Sequence, residues 1–356
     1  MKISLISDSH FGHKTDSLLF HNTFVKFYDD IFFPELQRRG IKTIIHLGDL
    51  FDRRKYINFH ILHRTRIDFF QKLVDGAYDT HIILGNHDVT FRDTNEVNSV
   101  RELCSHYPNF HIYEQPQEVT FDKLRVLIVP WLNPTDMVPG LKMISKSKCP
   151  VIFGHLEISG FNMSVTQICE RGMDRSIFKK FKKVYSGHFH HPNTDGKIQY
   201  LGSPYEMTFA DLDDPRGFYI FDTDTLELEF IKNPNKMFYR LIYDDREPQP
   251  KIDLTQFENK FLKVVVTHKT DPNAYEKWVD ALFRMNPAEL HINDQSSLEV
   301  VEDAEDQFLE FDESNKTVVM SDTLTIINKY IDAIGVDVDK HKLKTIFHEL
   351  YVEANG

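Results

Sequence analysis

The chain is poor in cysteine: Cys104, Cys149 and Cys169 are odd in number, far apart and without CxxC spacing, which excludes a disulfide framework and a thiolate zinc site. Three buried free thiols are expected instead. Glycine and proline, 15 of each in 356 residues, are too few for a collagen-like or low-complexity chain. No apolar run approaches the ~18–20 residues that cross a bilayer, and the opening Met1-Lys2-Ile3-Ser4-Leu5-Ile6-Ser7-Asp8 meets a carboxylate too early for a signal peptide. A soluble chain of the cytoplasm, bacterial or phage-infected, is therefore expected, with no membrane contact. Positive charge is scarce as well. With 42 Lys and Arg against 54 Asp and Glu, the net charge of −12 disfavours holding nucleic acid by bulk electrostatics. Local basic patches or metal ions would have to supply that attraction. What remains, 41% apolar and 27% charged, is the composition of an ordinary globular chain of two or three domains.

Short β-rich runs alternate with helical patterns over the first two hundred residues, with strands expected at 2–7, 43–47, 80–84, 124–129, 151–154 and 183–186. Between the first two, Phe20, Phe24, Phe27, Tyr28, Ile31 and Phe32 recur at helical spacing and stop at Arg38-Arg39-Gly40. Residues 57–74 repeat the pattern, as expected of a sheet covered by helices. Further strands are expected at 197–201 and 217–222, with a return strand at 226–231. The aromatic and aliphatic residues of 20–36 and 57–74 exceed what one sheet face needs, which predicts a homodimer built on both segments. A boundary loop is read at 243–250, then a strand at 261–267, a helix at 272–285 and a strand at 289–292. Residues 302–313 carry seven carboxylates and no Lys or Arg, a solvated linker. Two amphipathic helices follow, one bearing Leu324, Ile327 and Ile331, the other Leu343, Phe347 and Leu350.

Five short motifs fall immediately after expected strands, where an α/β sheet builds its sites. They are Asp8-Ser9-His10, Gly48-Asp49-Leu50-Phe51-Asp52, Gly85-Asn86-His87-Asp88, Gly154-His155 and Gly187-His188-Phe189-His190. Singly each is weak; five in order are hard to reach by accident. Carboxylate, amide and imidazole without thiolate suit Mn²⁺, Fe²⁺ or Zn²⁺. Two such ions need a shared carboxylate, and Asp49 is the natural bridge for a pair that clamps a phosphate ester.

These residues resemble the calcineurin-like metallophosphoesterases, whose signature DxH…GDxxD…GNH[DE]…GH…GHxH stands here in full. Together with Pro130-Trp131, Tyr200-Leu-Gly-Ser-Pro204 and Asp214-Pro-Arg-Gly-Phe218, they look like the SbcD/Mre-type nuclease branch, most like its compact tailed-phage version. The resemblance implies an α/β fold: a metallophosphoesterase β-sandwich flanked by helices over 1–235, a small α+β capping domain for DNA recognition at 240–300, an acidic linker at 301–320 and a helix pair at 321–356. It implies two divalent metal ions, Mn²⁺ with Mg²⁺ as the alternative. Asp8, His10, Asp49 and His190 would hold one and Asp49, Asn86, His155 and His188 the other. His87 would sit over the scissile phosphate with Asp88 orienting its ring, and Asp52 falls where several cellular relatives carry His, read here as a hydrogen-bond partner behind the ligands.

The function so implied is a two-metal DNA nuclease, a 3′-to-5′ exonuclease on duplex ends and single-strand endonuclease. It would act in double-strand-break repair and recombination with an SMC-like Rad-type ATPase in a 2:2 complex. The alternatives are a metallophosphatase or phosphodiesterase on another substrate and a catalytically silent DNA-end scaffold. Arg53, Arg54 and Lys55 are candidate DNA contacts, although charged runs are usually solvated faces. Phe11, Tyr56 and Phe189 lie beside the ligands, where core packing competes with base stacking. Leu324, Ile327, Ile331, Leu343, Phe347 and Leu350 are the candidate ATPase-binding residues, since a helix pair beyond an acidic tether needs something to bury its apolar faces.

Overall fold

The computed structural model describes residues 1–164, 167–246, 252–296, 340 and 342–345. Two compact units divide the chain, Met1–Val300 and Val301–Gly356. In the second, residues 342–345 are helical and Leu343 is half-buried. Leu324, Ile327, Ile331, Phe347, Leu350 and the acidic stretch 302–313 lie outside the described residues.

The first unit is built on three sheets. Strands β1 (Lys2–Ile6), β2 (Thr43–His46), β3 (Asp79–Ile83) and β4 (Phe110–Tyr113) run parallel in one sheet. Strands β5 (Gln117–Phe121), β6 (Leu124–Val129), β7 (Val151–His155), β8 (Lys183–Gly187), β9 (Asn193–Thr194) and β10 (Ile198–Tyr200) form the second, in the order β5-β6-β7-β8-β10-β9. The antiparallel pair β11 (Gly217–Asp222) and β12 (Leu228–Lys232) returns to the first sheet, giving β12-β11-β1-β2-β3-β4.

Side-chain alternation explains how the layers close. Ile3 and Leu5 of β1, Ile45 of β2, Val126 and Ile128 of β6 and Val151 and Phe153 of β7 meet in one buried cluster between the two sheets. Their neighbours point the other way. Ile6 and Ile44 join Phe20, Phe24, Phe27 and Phe69 of the covering helices, and Leu127, Val129 and Ile152 pack with Leu132 and Ile144 on the opposite side. The result is a β-sandwich with helices on both outer faces, as the resemblance implied.

Strands β13 (Phe238–Asp244), β14 (Phe261–His268) and β15 (Glu289–Asp294) form a third, parallel sheet, crossed by the helix Pro272–Arg284. Its core is Leu241, Tyr243, Leu262, Val264, Val266 and Leu282. Strand β13 corrects the boundary loop read at 243–250, because Tyr243 and Asp244 end a strand paired along its length with β14.

The third sheet also accounts for the surplus of aromatics on the first long helix. Phe20 lies 6.2 Å from Phe238 and 5.2 Å from Phe261, so the helix Leu18–Phe27 is covered by the first sheet and by the root of the third. Phe20, Phe24, Phe27, Tyr28, Phe32, Phe33 and Leu36 are all buried within the chain. The surplus of aromatics from which a dimer surface was expected on this segment is thus taken up within the chain. Segment 57–74 differs, with Phe59 87% and Ile67 52% exposed. Cys104, Cys149 and Cys169 are buried and free, as expected.

Phe24 stacks on Tyr205 at 3.6 Å with the rings 9° apart. Replacing Phe24 by Ala leaves a cavity under that ring and is expected to cost about 3–5 kcal/mol of unfolding free energy. Denaturant unfolding checks this; a loss under about 1 kcal/mol would mean that the site collapses around the gap.

Candidate metal centre

Each motif sits where a strand of the sandwich ends. Asp8 and His10 follow β1, Asp49 follows β2, Asn86 and His87 follow β3, His155 ends β7, and His188 and His190 follow β8. The turns are sharp enough that Asp8, His10, Asp49 and His188 all adopt positive φ, of 54°, 44°, 55° and 93°. Such backbone is sparsely populated outside glycine and marks strain held in place by its surroundings. Two glycines permit the approach. A Cβ on Gly48, itself at φ 97°, would lie 2.4 Å from His155 Nδ1, and one on Gly85 would lie 2.1 Å from Asp49 Oδ1.

The ligand-type atoms gather in two groups, Asp8 with His10 and His190, and Asp49 with His155 and His188. Asp49 faces both. The His87 backbone N–H donates to its Oδ1 at 2.8 Å, leaving Oδ2 3.7 Å from His10 Nε2 and 3.4 Å from His155 Nε2. Asn86 Oδ1 lies 3.0 Å from His155 Nε2 and 2.8 Å from His188 Nδ1. All seven residues singled out as metal ligands are thus brought together.

The donor chemistry fits divalent cations. His155 Nδ1–H donates to the Leu47 carbonyl at 2.7 Å, which turns Nε2 toward the oxygens of Asp49 and Asn86. His10 Nε2 and His190 Nε2 face each other at 3.0 Å, a distance at which only one can carry a proton between them. In the metal-free chain the crowded charges shift titration strongly. Burial opposes charge on His10, but Asp52, Asp49 and Asp8 outweigh it and raise the imidazole to about 9. Burial pushes His188 down to about 3, with the His155 charge adding to it, and pushes Asp8 up to about 6.

His87 sits beside the first group, its ring 4.9 Å from that of His10. Its Nδ1–H donates to the Asp52 carbonyl at 2.6 Å, and burial holds it below the ordinary imidazole range. The expectation that Asp88 orients this ring is corrected here. The Asp88 carboxylate is fully buried and accepts the backbone N–H groups of Gly85 at 2.8 Å, Asp49 at 2.9 Å, Leu50 at 3.0 Å and Phe51 at 3.3 Å. Asp52 lies against His10 and His13, with Oδ1 3.2 Å from both His10 Nδ1 and His13 Nδ1.

Other residues of the site carried no assigned role in the sequence. Arg216, 3% exposed, donates to Ser203 Oγ at 2.6 Å and to Asp211 and Asp214 at 2.7 and 3.0 Å, and also reaches the His190 carbonyl. The signal was present in Asp214-Pro-Arg-Gly-Phe218. Trp131 places its ring 5.2 Å from that of His188. Outside the centre, Arg53 donates to Asp16 at 2.8 Å and lies over the Tyr56 ring, Arg54 is half-buried and Lys55 is exposed. Phe11 and Phe189 are core residues at 2% exposure, whereas Tyr56 is 64% exposed.

Comparison with known proteins bears on the same residues. Over its full length the chain is 32% identical to "Exonuclease subunit 1" of Enterobacteria phage T4, covering 99% of both. It is 26% identical to a subunit of the nuclease SbcCD of Staphylococcus saprophyticus, over 78% of this chain and 82% of that one. The family model for calcineurin-like phosphoesterases matches residues 1–221, a span that begins before Asp8 and ends after His190. With its ligand motifs, its sandwich and that match in agreement, the chain belongs to the calcineurin-like phosphoesterase family.

Proposed function

We propose that the chain is a two-metal DNA nuclease, the nuclease subunit of a recombination and repair complex with an SMC-like Rad-type ATPase. One observation carries the reading: Asp49 Oδ2 lies within 4 Å of ligand nitrogens from both groups, in a chain that aligns along 99% of its length with a protein named as an exonuclease subunit. Mn²⁺ is the ion that membership of the family suggests, and the donors, carboxylate, amide and imidazole without thiolate, are compatible with it. Asp8, His10, Asp49 and His190 would hold one ion, and Asp49, Asn86, His155 and His188 would hold the other.

When bound, such a pair supplies Lewis acidity to a phosphodiester and lowers the pKa of a water. The chain's own part is to place and protonate. The Asp52 carbonyl accepts the His87 Nδ1–H, so a second proton, taken up from solvent to make the imidazolium, sits on Nε2 and passes from there to the leaving oxygen, which returns the ring to its neutral form. Burial depresses the His87 pKa and the anionic substrate works against that depression. Asp88 keeps the two ligand loops in register, and Asp52 keeps His10 turned inward.

Arg53, Arg54 and Lys55 follow the Gly48–Asp52 motif directly and supply a local positive edge that the net charge of −12 denies the protein as a whole. The third sheet, rooted on Phe20, serves as the capping domain of 240–300. Exposed Phe59 and Ile67 support a homodimer through the 57–74 segment. The 321–356 segment, whose apolar spacing is that of a helix pair, binds the ATPase, and the assembly works in the cytoplasm of a bacterial or phage-infected cell. Among the described residues no helix is long and apolar enough to cross a membrane.

Cleavage of end-labelled duplex DNA, set beside a bis-nitrophenyl phosphate and a phosphopeptide, tests the substrate class; preference for the phosphopeptide overturns it. His87→Asn is expected to slow DNA cleavage by about 10²–10⁴-fold with metal content unchanged. Loss of metal in that variant would place His87 among the ligands. Asp49→Ala is expected to remove both ions together, whereas His155→Ala weakens one; metal analysis of the purified proteins decides, and two tightly held ions in the Asp49 variant refute the bridge. Phe59→Arg with Ile67→Arg is expected to give a monomer by light scattering where the parent chain is a dimer. An unchanged mass would remove this surface from the assembly.

A further inference from the structure

A third group of metal-binding side chains lies away from the dinuclear centre, formed by Asp79, His81 and His111. Two parallel strands build it. Asp79 and His81 are two apart on β3 and share one face, and His111 of β4 is the registered partner of His81. The two rings therefore stack side by side, with centroids 4.6 Å apart and planes 19° apart. Both present Nε2 to one carboxylate, His81 at 3.1 Å from Asp79 Oδ2 and His111 at 2.8 Å from Oδ1. The group sits at the start of β3, at the end of the strand opposite Asn86 and His87, and contributes nothing to the nuclease centre.

We infer that Asp79, His81 and His111 form a separate binding site for one borderline divalent transition ion of the zinc class. Two imidazoles and a carboxylate are a donor set for such ions, with remaining positions left to water. His81 is the anchored ligand, because its side chain is 7% exposed, its ring packs edge-on against Phe121, and its Nδ1 lies 2.6 Å from the Tyr113 hydroxyl. Asp79 and His111 are the adjustable ones, with side chains 51% and 49% exposed. They turn to let the ion take the place of the Nε2-bound protons.

For His81 no proton need leave. The ring changes tautomer, Nε2 gives its lone pair to the ion, and Nδ1–H donates to the Tyr113 oxygen, the kind of outer partner that orients metal-bound histidine. Partial burial lowers the His81 pKa and so favours the neutral imidazole, the form that ligates. A bound ion crosslinks β4, the edge strand of the first sheet, to β3.

The test is a count of Zn²⁺ bound by the full chain, by metal analysis after equilibrium dialysis, in the parent, His111→Ala and His291→Ala proteins. His291 is an exposed histidine paired to Glu289 in the third sheet and serves as the control. The parent is expected to hold one ion more than His111→Ala and the same number as His291→Ala, and its thermal midpoint is expected to rise with Zn²⁺ more than that of His111→Ala. DNA cleavage with Mn²⁺ should be the same in all three, and circular dichroism reports whether the variants fold. Equal Zn²⁺ counts in the parent and the folded His111→Ala protein overturn the site and leave Asp79 an ion-pair partner of two histidines. Because the reading is a difference between proteins, it holds whatever number of ions the nuclease centre binds.

Discussion

Four backbone amides converge on the carboxylate of Asp88, and the centre depends on that convergence. Three come from the loop after β2 and one from the loop after β3, so a single buried anion ties together two segments that the sheet alone leaves free beyond their last paired residues. A buried carboxylate is costly unless its lone pairs are taken up. Here the donors satisfy it, while burial and the nearby Asp49 charge still lift its pKa to about 7. With both loops held, the His87 N–H meets Asp49 Oδ1, and Oδ2 is left for the two histidine groups. The position of Asp49 between the two groups is a consequence of backbone placement more than of any contact it makes by itself.

A second arrangement fixes the opposite wall. Arg216 reaches the His190 carbonyl and is neutralised by Asp211 and Asp214. Glu206, on the same stretch of chain, accepts the N–H groups of Met237 and Phe238 at 2.7 and 3.0 Å, where the third sheet begins. Tyr205, the residue before Glu206, donates to the Ser9 carbonyl, next to both Asp8 and His10. The link from ligand loops to third sheet therefore runs through neighbouring residues joined by hydrogen bonds to backbone groups.

Much of this was legible in the sequence because it is written in short motifs at strand ends. The five motifs could be picked out by residue type and by their place after expected strands, the resemblance to the metallophosphoesterases singled out Asp8, His10, Asp49, Asn86, His155, His188 and His190 within them, and these residues meet in space. The role of Asp88 could not, since an acidic residue after GNH reads equally as a ring partner or an acceptor of backbone amides, and only the fold decides. The helix Pro134–Lys146 is not announced by its sequence, since Pro139 and Gly140 in its interior are poor helix formers; a Cβ on Gly140 would lie 2.6 Å from a Leu132 methyl. The short strands β4 and β5 are only partly buried and carry no clean alternation. The helix of Phe20 misled for the reverse reason: its apolar residues were counted against one sheet when two elements cover it.

The left-handed backbone at Asp8, His10, Asp49 and His188 constrains how this centre can evolve. Aspartate, asparagine and histidine enter that conformation more readily than other residues with a side chain, and β-branched residues scarcely enter it at all. Substitution at these four positions is thus filtered twice, once by ligand chemistry and once by torsion angle. Drift at the centre is channelled toward exchanges among oxygen and imidazole donors, and a change of metal would have to come from the residues behind them.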